Sequence, residues 1–382
     1  MPNNRIHLCL AHMSPSGAEQ KYINEAFASN WISPLGPNVD AFEKDLEDYI
    51  GGDHHIAAVS SCTAAIHLAL LLLGVGKDDE VICQSFSFCA SSNPVTYCGA
   101  KPIFVDSEKD TWNMSPEILE EAIKSRIADT GKKPKAIIVV DLYGMPAKWD
   151  EITTISKKYD IPVIEDAANA LGTYYKGKPC GTFGDIATLS FNGNKMITTS
   201  GGGAIICKDE ATKKRAIFLA TQAKEPYLHY EHEIIGYNYR MSNVSAGIGR
   251  GQMTVLEDHI EHHKHVHEAY EELLKNVSGI TVHSNPQVRH EAFDSSFWLT
   301  AILFKKELDT EAFCLELDKS GIEARPLWKP MHLQPVYKDA LAFTNGFSEY
   351  LFKHGICLPS GPWVTDDDVK YIVEKIKEAI SF

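Results

Sequence analysis

The sequence lacks a C-x-x-C pair, lacks an apolar run long enough to cross a bilayer, and is short of basic charge. Its 37 Lys and Arg against 51 Asp and Glu give a net charge of −14. That balance argues against electrostatic capture of nucleic acid or of an anionic membrane surface, both of which need a basic face. Any anionic ligand must be held by a local cluster of donors. The nine cysteines are odd in number, scattered and mostly flanked by apolar residues. They read as reduced core residues of a cytoplasmic protein. The longest apolar stretch, around Ile66 to Val75, is interrupted by His67 and is too short to span a membrane. The opening MPNNRIHLCLAHMS has no apolar run of signal-peptide length, so the expectation is a cytoplasmic chain.

What is present is a globular composition, 44% hydrophobic and 23% charged over 382 residues, enough for about two domains. Short β-rich runs alternate with helical patterns and end at Ser60, Ser85, Asp106, Asp141, Asp166, Phe191 and Cys207. Runs such as AIIVV and IPVI are apolar on both faces, as where helices cover both sides of a mostly parallel sheet. The expectation is an α/β large domain over residues 1–245. Ligand chemistry in such sheets gathers at the carboxyl ends of the strands. From Ala246 to the end, the pattern predicts a smaller α+β domain. It opens with one long amphipathic helix through AGIGRGQMTVLEDHIEHHKHVHEAYEELLKN and closes with a helix started by Thr365 and DDD.

Three segments carry chemistry. In VSSCTAA a strand turns into a helix at small hydroxyl residues, where free N–H groups and the helix dipole make an anion site and Thr63 adds a hydroxyl. An ordinary Ser/Thr N-cap fits the same residues. Asp166 ends a buried strand, and Lys195 follows in the polar, Gly-rich SFNGNKMITTSGGG. A strand-end carboxylate and a loop lysine downstream of a phosphate-type helix start are the parts a pyridoxal phosphate enzyme requires. A helix cap and a solvated lysine remain open readings of the same pair. His259, His263 and His267 share one helix face, which reads as solvated and polar rather than as a metal site, since no carboxylate or Cys motif answers it.

VSSCTAAIHLAL, EDAANALGTYYKGKPCGTFGDIATLSFNGNK, ITTSGGGAI, GYNYRMSN and EARPLWKPMHLQPVY, in this order, resemble the DegT/DnrJ/EryC1/StrS family of sugar-nucleotide aminotransferases. The resemblance runs from SNWISPLGP to CLPSGPWVTDDDV. It implies the aspartate aminotransferase-like architecture of fold-type I pyridoxal phosphate enzymes, with a mostly parallel seven-stranded sheet in the large domain. It makes Lys195 the lysine that forms a Schiff base with pyridoxal 5′-phosphate and Asp166 the partner of the pyridine nitrogen. Ser190, Cys62 and Thr63 would hold the phosphate, Phe88 would stack on the ring, and Asn169 falls near the phenolic oxygen. Cys62 stands where the motif usually has Gly, and Asn169 where relatives commonly carry His, Gln or Glu. Asn238 and Arg240 would reach across a homodimer interface, Asn238 to the cofactor phosphate and Arg240 to the substrate. Arg325, Lys329 and His332 would frame the pocket for a nucleotide diphosphate.

The activity so implied is transfer of an amino group from L-glutamate to C4 of a nucleotide-linked 4-keto-6-deoxy sugar, first among them UDP-2-acetamido-2,6-dideoxy-4-hexulose. The cofactor alternates between pyridoxal and pyridoxamine phosphate, and no metal is called for. A 3-keto sugar-nucleotide aminotransferase uses the same constellation. A sugar dehydratase of the family carries His in place of the lysine, and a non-catalytic regulator would need no intact Lys–Asp pair.

Overall fold

The architecture follows from where the apolar runs can bury both faces. The computed structural model describes residues 5–288 and 290–380. The seven β-rich runs form β1 (His55–Val59), β2 (Glu80–Gln84), β3 (Lys101–Val105), β4 (Ala136–Val140), β5 (Val163–Asp166), β6 (Ile186–Ser190) and β7 (Gly203–Cys207). They lie in one sheet in the order β1-β7-β6-β5-β4-β2-β3, parallel except that β7 runs against both neighbours. The fold is the expected α/β type with one difference. The short segment Ala342–Phe343 pairs parallel to β3 and makes the sheet eight-stranded. A two-residue strand that follows a loop has too little periodicity to read from the sequence.

Alternation along β4 shows how the layers are assigned. Ile138 packs beneath α3 (Cys62–Leu72), while Ile137 and Val139 face α4 (Pro116–Thr130) and α5 (Trp149–Tyr159) on the other side. All five β4 residues are buried, and each such Ile or Val contributes about 1.5–3 kcal/mol. At the β1–β7–β6 end, α2 (Pro37–Ile50) covers the sheet through Phe42 and Leu46.

The C-terminal part contains a four-stranded antiparallel sheet of β8 (Ile280–Val282), β9 (Thr300–Phe304), β10 (Arg325–Pro326) and β11 (Gly355–Leu358), in the order β8-β9-β11-β10. Val266, Phe313, Leu317, Ile372 and Ile376 close its core from the flanking helices. The last helix starts as expected, with the Asp368 N–H donating to Thr365 Oγ1 at 3.1 Å.

Two expectations for the connecting helix are corrected. It is two helices, Asn243–Met253 and Leu256–Leu274, because Val255 leaves helical geometry at φ −124° and ψ 9°. Its histidine face is buried rather than solvated: His259, His263 and His267 are 7%, 0% and 1% exposed. His259 donates to the Met196 carbonyl at 3.1 Å, and the His267 ring stacks on Phe297 at 3.6 Å. Histidine scores as polar in any periodicity count, yet its neutral ring packs as an aromatic.

Burial brings the His263 and His267 imidazoles down to about 3. Neither nitrogen of His263 has a hydrogen-bond partner among the described residues, although the backbone of Phe297 and Trp298 slightly favours its charged form. Because the folded value lies below the unfolded 6.5, stability held above that pH is lost as pH falls from 6.5 towards 3. His263→Met is expected to keep stability at neutral pH and to lower proton uptake on unfolding near pH 5 by about one proton. Urea unfolding at pH 7 and 5 checks this, and an unchanged difference between the two would refute it.

Candidate active site

At the carboxyl ends of the parallel strands lies a cavity of about 390 Å³. Residues from α3, β5, β6, the loop after β6 and the C-terminal part line it. One end is the start of α3, where Ser61 caps the helix by accepting the Ala64 N–H at 3.1 Å. Ser61, Cys62 and Thr63 all face the cavity, so this end offers N–H groups, a hydroxyl and the positive end of the dipole. Strand β7 passes directly behind. A Cβ on Gly203 would lie 2.4 Å from the Cys62 nitrogen, so only glycine permits the approach.

Asp166, the last residue of β5, is 3% exposed. Its carboxylate accepts from Ser91 Oγ at 2.6 Å and from the Ala168 N–H at 3.1 Å, with the Cys62 thiol 3.8 Å away. Burial raises its pKa, and the Ser91 and Ala168 donors and the Lys195 charge oppose that rise. Lys195 lies across the cavity in the tight turn after β6. Its Nζ donates to Asn169 Oδ1 at 2.5 Å and rests 3.8 Å from the ring centre of Trp298. Desolvation brings the ammonium down to about 8, with Asp166, Cys62 and Cys9 acting the other way.

Of the expected residues, the structure brings together Lys195, Asp166, Cys62, Thr63, Phe88, Asn169, Ser190 and Arg325 around this one cavity. Phe88 is 57% exposed and tilts against Trp328 at 5.8 Å. Arg325 reaches the cavity with its guanidinium largely in solvent, 2.9 Å from Glu323. The expectations for Arg240 and His332 are corrected. Arg240 is turned into its own chain, where Nη1 contacts Glu43 Oε1 at 2.5 Å and the Ala58 carbonyl at 2.9 Å, leaving 9% of the side chain exposed. A guanidinium so paired under β1 is not available to substrate in this arrangement. His332 is also turned away, its Nδ1 2.6 Å from Ser85 Oγ and its Nε2 3.4 Å from Glu349. Lys329 and Asn238 do not line the cavity of their own chain, and Asn238 is exposed.

Sequence reasoning missed Ser91, Asn194, Trp298 and Trp328. Trp298 stands in the apolar FWLTAILF, which reads as strand core, yet the strand begins only at Thr300. Ser91 lies three residues after Phe88 in a run of small polar residues and has no signal of its own. A larger groove of about 660 Å³ opens beside Tyr97 and Tyr337, but its Glu80 and Arg126 are already paired at 2.8 Å.

The donor set fits pyridoxal phosphate: an anion-binding helix start at one end, a buried carboxylate beside it, and a desolvated lysine amine facing both. The buried Asn194 Oδ1 has no partner among the described residues, as in a pocket that awaits a polar ligand. The profile of the DegT/DnrJ/EryC1/StrS aminotransferase family matches residues 15–377. The chain belongs to that family. It is a pyridoxal phosphate-dependent sugar aminotransferase of fold type I. It is 48% identical over 376 residues to EpsN of Bacillus subtilis (strain 168), named as a pyridoxal phosphate-dependent aminotransferase, covering 97% of this chain and 95% of EpsN. It is 38% identical over 373 residues to the GDP-perosamine synthase of Escherichia coli O157:H7, covering 96% and 97% of the two chains. The pyridoxal phosphate form of Spr1654 from Streptococcus pneumoniae, named as a sugar aminotransferase, superposes with a TM-score of 0.89 at 27% identity over 99% of each chain.

Proposed function

We propose that this enzyme transfers an amino group from L-glutamate to C4 of a nucleotide-linked 4-keto-6-deoxy sugar, with UDP-2-acetamido-2,6-dideoxy-4-hexulose as the first candidate. The observation that carries the reading is the pairing of a desolvated Lys195 amine with the buried Asp166 carboxylate across one cavity. When bound, pyridoxal phosphate supplies the carbonyl that takes up the amino group and the ring that accepts electrons as the Cα–H bond breaks. Ser61, Thr63 and the N–H groups of α3 hold the phosphate end, and Ser190 adds a hydroxyl. Asp166 would offer its carboxylate to the ring nitrogen, with the Ser91 and Ala168 donors favouring the ionised form against burial. Lys195, once its amine is free, would take the proton from the substrate Cα and hold it for its return. A value near 8 lets one amine serve as base and acid close to neutral pH. Arg325 at the mouth supplies positive charge for a diphosphate, which a chain of net charge −14 must provide locally.

The second reading takes a GDP-linked sugar, and likeness to a GDP-perosamine synthase favours it. A 3-keto sugar would use the same residues. Incubation with glutamate and a panel of UDP- and GDP-linked 4-keto and 3-keto sugars, with products read by mass and NMR, decides among them. Product from no 4-keto sugar would overturn the proposal.

We also infer a homodimer with composite sites. Tyr227, Leu228, Tyr230 and Ile235 are 50%, 109%, 82% and 81% exposed on the segment that leads to Asn238, an apolar surface a second copy would cover. If Asn238 serves the neighbour's phosphate end, Lys195→Ala and Asn238→Asp are each expected to be inactive. Their equal mixture should recover about a quarter of parental activity, because half the dimers are mixed and each holds one intact site. Absence of recovery after subunit exchange, verified by mass, would refute the arrangement.

A further inference from the structure

Lys195 is held from a direction that the sequence did not announce. Trp298 comes from the C-terminal part, two residues before β9, and is 2% exposed. It makes two contacts with the lysine turn at once. Its ring lies 3.8 Å from Lys195 Nζ, and its Nε1–H donates to the Asn194 carbonyl at 2.6 Å. The same carbonyl accepts from the Cys9 thiol at 3.2 Å, and the neighbouring Gly193 carbonyl accepts the Ala11 N–H at 2.9 Å. The turn is therefore fixed by two remote segments while its lysine faces an aromatic surface.

The backbone that presents Trp298 is built for that aim. Phe297 has φ +47°, a left-handed conformation that a bulky residue adopts only when its surroundings impose it. Buried hydroxyls impose it here. Ser295 Oγ donates to the Gly144 carbonyl at 2.6 Å, the Ser296 N–H donates to Thr173 Oγ1 at 3.1 Å, and the Phe297 N–H donates to Ser295 Oγ at 3.1 Å. Gly144, at φ +92°, leaves no room for a side chain, since a Cβ there would lie 2.8 Å from the Trp298 nitrogen. Stacked beneath Phe297 is the His267 ring. This much order around one turn gives the indole a single orientation.

We propose that Trp298 is a positioning residue for Lys195, its indole face receiving the free ammonium and its N–H fixing the turn that carries it. Such a face is attractive to an ammonium through the ring quadrupole, the more so where water is displaced. With Asn169 Oδ1 on the other side, it gives the released amine a defined resting place in its protonated state. The ionisable groups facing that amine are Asp166 at the end of β5, Cys62 at the start of α3 and Cys9 from the N-terminal segment. The indole opposes the desolvation that drives the proton off, and so helps the lysine hold a proton between its two transfers. The proposal rests on Lys195 being the reacting amine. That assignment is tested separately, by borohydride reduction of the holoenzyme and mapping of the pyridoxyl group.

The test reads the lysine directly rather than turnover. The full chain loaded with pyridoxamine 5′-phosphate, in which Lys195 is free, is labelled competitively with acetic anhydride across a pH series, and the Lys195 peptide is quantified by mass. Trp298→Met fills space without a π face and is expected to titrate Lys195 about one pH unit below the parent. Trp298→Phe keeps a face without the N–H and is expected to restore most of that shift. Met titrating with the parent would overturn the proposal, as would Phe titrating with Met. A measurement on the parent chain needs no variant at Trp298: the indole difference absorbance between parent and Lys195→Ala should titrate with the same midpoint as the labelling. A difference spectrum that does not change with pH would overturn the proposal even if both substitutions fail to fold.

Discussion

Lys195→Ala is expected to yield a folded protein whose transamination falls by about 10⁴-fold or more. In the proposed assignment the substitution deletes both the amine that anchors the cofactor and the group that moves the proton, and nothing else in the cavity can replace either. Asn169, the nearest side chain, has no proton to exchange near neutral pH, and Cys62 and Cys9 are driven by burial towards the neutral thiol. Folding is expected to be preserved, because the side chain borders the cavity and water can fill its place. The folded lysine titrates near 8 and the unfolded one near 10.5, so below 8 the folded state carries the full cost of a desolvated charge. Lys195→Ala is therefore expected to unfold at an equal or higher temperature than the parent at pH 7. Any gain should shrink as pH rises from 8 towards 10.5. Thermal unfolding at pH 7 and near pH 10, beside an amino-transfer assay, checks both halves. Borohydride label on another lysine in the parent would show that the wrong amine had been chosen.

The extent to which this site was legible follows from which residues have neighbours in the sequence. Asp166 ends a run, VIED, that only a buried parallel strand explains, and Lys195 follows in a turn too polar for core. Strand-end logic brings both to one edge of the sheet, and the family motif then assigns their roles. Ser190 and Cys62–Thr63 were legible for the same reason. Trp298 and Ser91 were not, because each acts across more than 70 residues of chain: Ser91 reaches Asp166 and Trp298 reaches Lys195 only after folding. A tryptophan in an apolar run announces burial, not which charge it will cover. Arg240 shows the opposite failure. A motif arginine was given to the substrate because nothing in GYNYR reveals that Glu43, far upstream on α2, lies close enough to pair with it.

The buried histidines teach the same lesson about the C-terminal part. A helix rich in His reads as wet, whereas packing decides otherwise once Phe297 offers a flat surface to His267 and Met196 offers a carbonyl to His259. Those contacts tie the connecting helix to the turn that presents Trp298 and to the residue that follows Lys195. The small antiparallel sheet thus meets the chemistry through a few side chains that periodicity cannot single out.

Asp166→Asn is expected to lower turnover by about 10²–10³-fold or more while changing cofactor affinity far less. The replacement is nearly isosteric and the hydrogen bonds adapt. The amide oxygen can keep the Ala168 N–H at 3.1 Å, and Ser91, whose hydroxyl can rotate, can accept from the amide nitrogen where it donated to the carboxylate at 2.6 Å. What is lost is the negative charge. The carboxylate is buried at 3% exposure, where its field is poorly screened by water, and in the proposed mechanism it would favour a proton on the ring nitrogen and so the withdrawal of electrons from Cα. The start of α3, proposed to hold the phosphate end, is untouched, which is why binding should survive. Asp166 also supports the charge on Lys195, so its removal should leave burial less opposed and shift the free lysine further below 8. Competitive labelling of Lys195 in Asp166→Asn, run beside the kinetic assay at matched cofactor occupancy, reads this second effect independently of the first. Near-normal turnover at full occupancy would mean that another carboxylate faces the ring. An unshifted lysine would mean that the two charges do not act on each other across the cavity.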